Sequence, residues 1–212
     1  MSRKDKGCFI AFEGIDGSGK STQIALLIDR LRERGIDFYS TMEPTDSPIG
    51  SMIHQIMTGR MKTDNKVIAA LFVADRLDHL LNDVDGILKK IEEGTTVVSD
   101  RYYFSSYAYH SVDMSMDWII QANSQSSELL KPTVTIFIDV DPDVAVERIA
   151  KNRFQNELFE KKSRLVKVRK KYYEAFEKLR HEENVIIIDG NRTPQEISID
   201  IWNCVHQYFD AD

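Results

Sequence analysis

The chain has 212 residues, of which 42% are hydrophobic and 29% are charged, and its formal net charge is −6 at pH 7. This length is enough for one sizeable core, so we expect a single globular domain over residues 1–212. The acidic balance argues against a generic nucleic-acid-binding protein. No apolar run reaches the roughly 18 residues of a membrane span, which argues against a membrane protein.

The first residues and the cysteines both favour a cytoplasmic protein. Residues 2–6 are polar, and the apolar run behind them is too short for the core of a signal peptide. Cys8 and Cys204 lie in apolar patterns far apart in the sequence and match no metal-ligand spacing. We therefore expect two buried thiols in a reducing compartment.

Strand and helix patterns alternate along the whole chain. Short apolar runs predict five strands, at Cys8–Phe12, Ile36–Thr41, Thr95–Ser99, Thr133–Val140 and Val185–Ile188. Helical spacing predicts helices at 20–34, Ile49–Met57, about Asp64–Leu81, Val84–Glu92, Ser105–His110, Trp118–Leu130, from Asp141 onward, about Glu157–Arg180, and Thr193 to about Phe209. This alternation predicts an α/β fold, with a five-stranded parallel sheet covered by helices on both faces.

Residues 14–21 match a phosphate-binding loop between the first strand and the first helix. Gly14, Gly19, Lys20 and Ser21 fill the template G-x-x-x-x-G-K-[ST]. Glycines permit positive-φ turns that point successive N–H groups inward, and the next helix adds the positive end of its dipole. Lys20, expected at the surface of the crevice, would reach the terminal phosphates, and the Ser21 hydroxyl would bind Mg²⁺. The alternative is an ordinary glycine-rich turn.

Two carboxylates, Glu13 and Asp16, lie where a triphosphate is expected. A carboxylate about 5 Å from a phosphate charge costs on the order of 3 kcal/mol at an effective dielectric of about 20. Asp16 therefore suggests a second ligand, because a carboxylate would suit a sugar hydroxyl of an acceptor that faces the donor phosphates. The alternative for Asp16 is a solvated loop residue.

Two further features point to the same crevice. Asp100 ends a buried strand, so it faces the phosphate loop and could hold Mg²⁺ opposite Ser21, as a Walker B acid does. Phe72 and Arg76 are four residues apart on a predicted helix and share a face. A ring and a guanidinium presented together suit a planar base. Taken alone, however, this pair favours core packing for Phe72 and a surface ion pair for Arg76.

Three motifs, in this order and spacing, closely resemble those of thymidylate kinases: Phe12–Gln23, Leu71–Arg76 and Asp100–Ser106. The resemblance covers nearly the whole chain, from Ile10 to the terminal helix. It implies the P-loop fold of nucleoside monophosphate kinases, ATP and Mg²⁺ on the donor side, and dTMP as the acceptor. It also implies a homodimer formed through the long helices.

On the donor side, the resemblance implies that ATP contacts Gly14, Gly17, Ser18, Gly19, Lys20, Ser21 and Thr22. Positions 15–18 contain no arginine, which resembles the branch of the family that carries its catalytic arginine in the mobile lid, here about residues 148–160. We assign Arg153 to the charge on the transferred phosphoryl group and Arg148 to the adenine.

On the acceptor side, within about residues 42–110, the resemblance gives Asp16 the deoxyribose 3′-hydroxyl, Phe72 the stack under thymine and Arg76 the O4 edge of thymine. Arg101 would hold the acceptor phosphate, and the pocket for base and sugar would be lined by Ser106 and Tyr109. Lys20, Arg101, Arg153 and Asp16 form the expected catalytic set. Three positions depart from the residues common in the family: Met42, Tyr107 and His110.

The sequence thus predicts a dTMP kinase that binds neither nucleic acid nor membrane. Another nucleoside monophosphate kinase is the first alternative, although Asp16 and the Phe72/Arg76 pair argue against a ribose or purine acceptor. A GTPase-type switch is the second, although the chain lacks the Asn-Lys-x-Asp guanine motif. The histidines show no ligand spacing, so no metal site beyond Mg²⁺ is predicted.

Overall fold

A computed structural model describes the backbone of residues 7–150 and 155–209, and the side chains of these ranges except 155–161. Its five strands are β1 Phe9–Glu13, β2 Phe38–Met42, β3 Thr96–Asp100, β4 Val134–Asp139 and β5 Val185–Asp189. They form one sheet in the order β2-β3-β1-β4-β5, and every neighbouring pair is parallel. The predicted α/β fold is confirmed.

The strands are joined by helices in the described part of the chain. These are α1 Lys20–Glu33, α2 Pro48–Met57, α3 Asn65–Leu81, α4 Ile87–Glu92, α5 Tyr103–His110, α6 Met116–Ala122, α7 Ser124–Leu129, α8 Pro142–Ile149, α9 Gln155–Leu179 and α10 Pro194–Val205, followed by a 3₁₀ turn at His206–Tyr208. None of the helices in these ranges is long and apolar enough to cross a membrane.

The helices cover both faces of the sheet. Successive strand residues point to opposite faces, so Phe9 and Ala11 pack in one buried cluster and Ile10 and Phe12 in another. The first cluster contains residues of α3, α4, α5, α6 and α9, and the second contains residues of α1 and α10. The central strand β1 is therefore buried on both sides, and the loop that follows it starts from a rigid base.

Two helix predictions were wrong in detail. The predicted helix Trp118–Leu130 is two helices that meet at Asn123, whose side chain donates to Ile119 O (2.8 Å) and accepts from Arg76. The helix is thus interrupted at Asn123, and the Asn123 side chain makes a buried polar contact with Arg76. The predicted helix Val84–Glu92 begins only at Ile87, because residues 82–86 form a turn in which Asn82 Oδ1 accepts from Val84 N at 2.9 Å.

The cysteine prediction also needs correction. Cys8 and Cys204 are free thiols, as expected, but both are half-buried rather than buried. Burial raises the pKa of Cys8 to about 11, so its thiol is protonated at neutral pH. Cys8 Sγ lies 3.7 Å from Thr96 Oγ1 and contributes to packing beside β3.

Several of the candidate site residues lie where the carboxyl ends of the strands meet at one edge of the sheet. Arg101, directly after β3, donates its backbone N–H to Phe12 O of β1 at 2.8 Å. Glu43, directly after β2, donates its backbone N–H to Asp100 O at 3.0 Å. These bonds extend the sheet pairing by one residue, and they place the segments after three adjacent strands beside one another.

Candidate active site

The loop between β1 and α1 has the backbone that a phosphate-binding loop requires. Gly14, Gly17 and Gly19 have φ values of 152°, 81° and 96°, in the region that side-chain-bearing residues avoid. A Cβ on Gly14 would lie 2.8 Å from Ile138 O, and one on Gly17 would lie 2.5 Å from Ala145 O. Glycine is therefore required at both positions by conformation and by space.

Lys20 opens α1 and turns back toward the loop. Contrary to the expected surface position, its side chain is only 7% exposed, and Nζ donates to Gly14 O at 3.3 Å. Burial lowers the pKa of Lys20 to about 8, because the charged ammonium has lost most of its water. An anionic ligand on this loop would therefore meet a desolvated cation and would add to the negative charge that Asp100 already places 4.0 Å from Nζ.

Ser21 and Asp100 come together as the sequence predicts, with Ser21 Oγ donating to Asp100 Oδ2 at 3.2 Å. The other oxygen, Asp100 Oδ1, is buried, lies 4.0 Å from Lys20 Nζ, and accepts no hydrogen bond within the described residues. A hydroxyl and a carboxylate oxygen are the hard ligands that Mg²⁺ prefers, and the unsatisfied oxygen leaves room for one more partner. The residues present therefore fit a magnesium ion. Elsewhere in the described ranges, no group of three His, Cys, Asp or Glu residues is placed to hold a metal.

Other predicted donor-side residues surround the loop. Ser18 is 1% exposed and its Oγ accepts or donates no hydrogen bond within the described part of the chain, whereas Thr22 is exposed on the first turn of α1. Arg148, at the end of α8, donates to Ser18 O (3.2 Å) and to Gly190 O (2.9 Å). It bridges the loop and the turn after β5. Arg153 lies outside the described residues, as does part of the predicted lid.

A cavity of about 310 Å³ opens on the other side of the loop. Five predicted acceptor-side residues line it: Asp16, Phe72, Arg101, Ser106 and Tyr109. Asp16 belongs to the phosphate loop and to the cavity wall at once. The structure therefore brings a prospective acceptor site directly against the phosphate loop.

Arg101 is the centre of this junction. Its φ of 76° is left-handed, a conformation that costs of order 1–3 kcal/mol for a residue with a side chain and is often found at functional sites. Nη2 lies 2.7 Å from Asp16 Oδ1 and 3.3 Å from Tyr109 OH, and Nη1 donates to Gly14 O at 3.2 Å. Its guanidinium also lies over the Tyr109 ring, 4.9 Å from the centroid.

The strained turn at Arg101 is held by Glu13, the carboxylate that the sequence left unexplained. Glu13 is fully buried, and its Oε1 accepts from Tyr102 N (2.9 Å) and Ser105 N (3.1 Å). Its Oε2 accepts from Ser105 Oγ (2.6 Å) and Tyr172 OH (2.8 Å). Burial raises the pKa of Glu13, against the opposing effect of these donors and of Arg101.

Phe72 and Arg76 share one side of α3, but only Phe72 lines the cavity. Phe72 lines the cavity, with its ring 5.1 Å from that of His110 in an edge contact. Arg76 is 1% exposed and is not among the lining residues. Its Nη2 pairs with Glu43 Oε2 at 2.6 Å, and Nη1 donates to Ser106 Oγ at 3.1 Å and to Asn123. The ion pair weighed from the sequence thus exists, but it is buried.

The buried ion pair of Arg76 and Glu43 is also held by His79. His79 Nδ1 lies 3.2 Å from Glu43 Oε1, and His79 Nε2 lies 2.7 Å from Thr41 Oγ1. Burial alone would raise the pKa of Glu43, but the charges of Arg76 and His79 outweigh it and lower the pKa. Glu43 therefore remains a carboxylate and fixes the orientation of the Arg76 fork.

The three departures from the family pattern fall in three different places. Met42 is 53% exposed at the end of β2 and does not line the acceptor cavity. Tyr107 is buried and stacks on Tyr103 with 5.4 Å between ring centroids. Only His110 lines the cavity, and its pKa is lowered to about 4, first by burial and then by Arg76 and Arg164. His110 is therefore a neutral imidazole at physiological pH.

Sequence reasoning missed the residues that hold the site in place: Ser105, Asn123, Tyr172 and Asp75. The carboxylate of Asp75 accepts from Thr45 N (2.8 Å), Thr45 Oγ1 (2.6 Å) and Ser47 Oγ (3.0 Å), which fixes the loop after β2. Asp75 stands inside the quoted motif Leu71–Arg76, so the motif carried a signal for it. The contacts of Asn123 and Tyr172 join distant segments and have no local signal.

Comparison with known proteins agrees with the geometry. The family model described as thymidylate kinase matches residues 12–201. A probable thymidylate kinase of Methanocaldococcus jannaschii is 38% identical, with 89% of each chain covered. A probable thymidylate kinase of Pyrobaculum aerophilum is 38% identical over 91% of this chain and 93% of that protein. A thymidylate kinase of Leptospira borgpetersenii is 34% identical over 91% and 90%. With the match spanning nearly all of the sheet and both halves of the site, the chain belongs to the thymidylate kinase family.

Proposed function

We propose that the chain transfers the γ-phosphoryl group of ATP to dTMP, giving ADP and dTDP, within one P-loop kinase domain. One observation supports this most directly: Asp16 and Arg101, which are paired at 2.7 Å, border both the phosphate loop and the acceptor cavity. Membership of the thymidylate kinase family supplies the acceptor and the donor. The two substrates then meet across this pair.

On the donor side, the loop Gly14–Thr22 would hold the β- and γ-phosphates with main-chain N–H groups at the start of α1. Lys20 would bond the terminal phosphates, and Arg148 would cover the adenine from its position between Ser18 O and Gly190 O. Mg²⁺, held by Ser21 and Asp100, would supply charge neutralisation on the phosphates. Arg153 would add a guanidinium to the transferred group.

On the acceptor side, Phe72 would stack on the thymine, and Tyr109 would line the sugar. Asp16 would accept from the 3′-hydroxyl of deoxyribose. Arg101 would bond the 5′-phosphate and exchange part of its pairing with Asp16 for that anion. Arg76 lies behind Ser106, so we assign its effect on the O4 edge of the base to the Ser106 hydroxyl, which it contacts at 3.1 Å.

The chemical step needs positioning more than proton transfer. An oxygen of the dTMP phosphate attacks the γ-phosphorus in line, and the bond from that phosphorus to the bridging oxygen of ADP breaks. The attacking phosphate is already an anion, so no strong general base is required. Lys20, Arg101 and Arg153 would neutralise charge as it moves from one phosphate to the other.

A coupled ADP-release assay with a panel of nucleoside monophosphates tests this function. We expect dTMP to be preferred, with ATP as the donor and a dependence on Mg²⁺. A preference for another monophosphate would replace dTMP with that acceptor. GTP binding without transfer to any monophosphate would instead favour the switch-protein alternative.

We also propose that the protein is a cytoplasmic homodimer. Large apolar side chains are exposed on the neighbouring helices α2, α3, α6 and α7: Met52, Val67, Leu81, Trp118 and Leu129, each between 40% and 53% exposed. Apolar exposure spread over adjacent helices supports an interface. Light scattering coupled to gel filtration should give twice the 24.4 kDa chain mass, and Val67→Glu should shift it to the single chain.

A further inference from the structure

Glu13, the last residue of β1 and directly before the phosphate loop, is an ionisable group that the proposed reaction does not use. It is fully buried and does not line the acceptor cavity, so it is not placed to touch either substrate. Nevertheless four donors converge on its two oxygens: two backbone N–H groups and two hydroxyls.

The two hydroxyls connect Glu13 to Arg101. Ser105 Oγ is 2.6 Å from Glu13 Oε2 and accepts from Arg101 Nη1 at 2.8 Å. Tyr172 OH is 2.8 Å from the same Glu13 oxygen and lies 3.4 Å from the same Arg101 nitrogen. Arg101 and Glu13 are therefore linked by two parallel bridges, each one hydroxyl long.

Counting protons fixes the direction of both bridges. An arginine has only donors, so Ser105 and Tyr172 can only be acceptors toward Arg101. The two protons of Nη1 serve three acceptors, Gly14 O (3.2 Å), Ser105 Oγ (2.8 Å) and Tyr172 OH (3.4 Å), so the Tyr172 contact is the weakest of the three. Both hydroxyl protons then point at Glu13, which is an acceptor for all four of its neighbours. Ser105 Oγ and the Tyr172 oxygen lie 2.9 Å apart, and neither needs to donate to the other.

We propose that Glu13 is a positioning residue for the acceptor phosphate: it makes Ser105 and Tyr172 hydrogen-bond acceptors, and these hold the Arg101 guanidinium in place. The same carboxylate fixes the backbone of the left-handed turn, because Tyr102 N and Ser105 N donate to its other oxygen. Tyr172 lies on α9, so this helix contributes to the acceptor site from behind the cavity through Tyr172, in addition to Arg164, which lines the cavity. The inference rests on the proposed assignment of Arg101 to the acceptor phosphate.

Glu13→Gln tests the hydroxyl bridges selectively. The remaining amide oxygen can still accept from the two backbone N–H groups, whereas the new NH₂ group donates to the two hydroxyls. Their protons can then no longer point at residue 13, so one hydroxyl can donate to the other across 2.9 Å while the remaining proton turns toward Arg101. Arg101 thus loses at least one acceptor and meets a donor in its place. Tyr172→Phe removes only one bridge. Tyr103→Phe is the matched control, because its hydroxyl donates to Glu183 (2.7 Å), away from the cavity.

The readout compares dTMP with thymidine, which lacks the phosphate that Arg101 would hold. We expect Glu13→Gln to weaken dTMP binding at least tenfold in calorimetric titrations and to change thymidine binding less than twofold. Tyr172→Phe should act in the same direction by about threefold, and Tyr103→Phe should leave the ratio of the two affinities unchanged. In the double variant Glu13→Gln/Tyr172→Phe, the loss of dTMP affinity should be smaller than the product of the two single losses, because both substitutions disrupt the same bridge through Tyr172.

Other results would overturn the role of Glu13. If Glu13→Gln weakened the binding of dTMP and of thymidine by the same factor, the role of Glu13 would be purely structural. The same conclusion would follow if the losses of dTMP affinity in the two single variants simply multiplied in the double variant. If Glu13→Gln does not fold, an unchanged affinity ratio in Tyr172→Phe overturns the inference by itself. The wild-type protein separates the role of Glu13 from the proposed role of Arg101. If wild type bound dTMP and thymidine with equal affinity, the assignment of Arg101 to the acceptor phosphate would be overturned as well.

Discussion

Ser106→Ala provides a sharp test of how the base is read. Arg76 Nη1 donates to Ser106 Oγ at 3.1 Å, and arginine has no acceptor, so the Ser106 proton is directed away from Arg76. Ser106 lines the cavity, so its hydroxyl is available to donate to a base. A donor here favours the 4-keto group of thymine and disfavours the 4-amino group of cytosine.

The expected magnitude follows from these two contacts. A neutral hydrogen bond to the base contributes about 0.5–1.5 kcal/mol, so dTMP affinity should fall by roughly three- to tenfold. The clash of a donor with the amino group of dCMP disappears in the same variant, so the preference for dTMP over dCMP should fall more than dTMP affinity itself. Unfolding should become easier by about 1–3 kcal/mol, because Arg76 Nη1 loses one of its two buried acceptors.

The assay is a titration of wild type and variant with dTMP and dCMP, alongside urea unfolding. Ser111→Ala is the matched control: it is a buried serine just after the same helix, and its hydroxyl has no hydrogen-bond partner in the described ranges. A preference for dTMP over dCMP that stays constant in Ser106→Ala would refute the reasoning. Arg76 would then have to read the base by another route.

Four more outcomes are expected. Lys20→Ala should abolish most turnover at saturating ATP while circular dichroism shows an unchanged fold, since Lys20 is the side-chain cation within the loop sequence Gly14–Thr22. Phe72→Ala should weaken dTMP binding by roughly 1–3 kcal/mol in calorimetry and leave ATP binding unchanged, which is the scale of one base–aromatic stack. Arg153→Ala should lower kcat about 100-fold or more in single-turnover kinetics, with both ground-state affinities kept. The pKa of His110 is lowered to about 4 in the folded protein, so the unfolded chain binds more protons between about pH 6.5 and pH 4. The free energy of unfolding should therefore fall by up to about 3 kcal/mol as the pH drops through this window. His110→Gln should flatten this pH dependence in urea titrations at several pH values.

The fold and the phosphate loop could be predicted because their signals are local. Each strand is a short apolar run, and β1 leads within one residue into the glycines that turn the chain. The contact of Ser21 with Asp100 was also within reach, because adjacent parallel strands bring their carboxyl ends together and β3 lies next to β1. Sequence spacing alone does not show this contact, but the topology of a parallel sheet predicts it.

The orientation of Arg76 could not be predicted in the same way. Helical spacing places Phe72 and Arg76 on one side of α3, but it does not say how far each side chain reaches toward solvent. The partners that draw Arg76 inward are Glu43, from the loop after β2, and Asn123, from the break between α6 and α7. Both partners stand in segments whose positions depend on the completed fold, and Asn123 acts through a helix break that the periodicity of residues 118–130 concealed.

Glu13 and Asp16 show how the chain tolerates carboxylates beside a phosphate-binding loop. Each would cost several kcal/mol as an isolated charge near a triphosphate, and the sequence alone offered a remedy only for Asp16. In the folded protein both interact with Arg101, Asp16 by a direct contact at 2.7 Å and Glu13 through Ser105 and Tyr172. The guanidinium therefore offsets two carboxylates while its position beside the cavity leaves it able to meet a third anion. Since Asp16 already occupies Nη2, a phosphate bound by Arg101 as proposed would share the guanidinium with Asp16, and the two carboxylates would then set how strongly the acceptor is held.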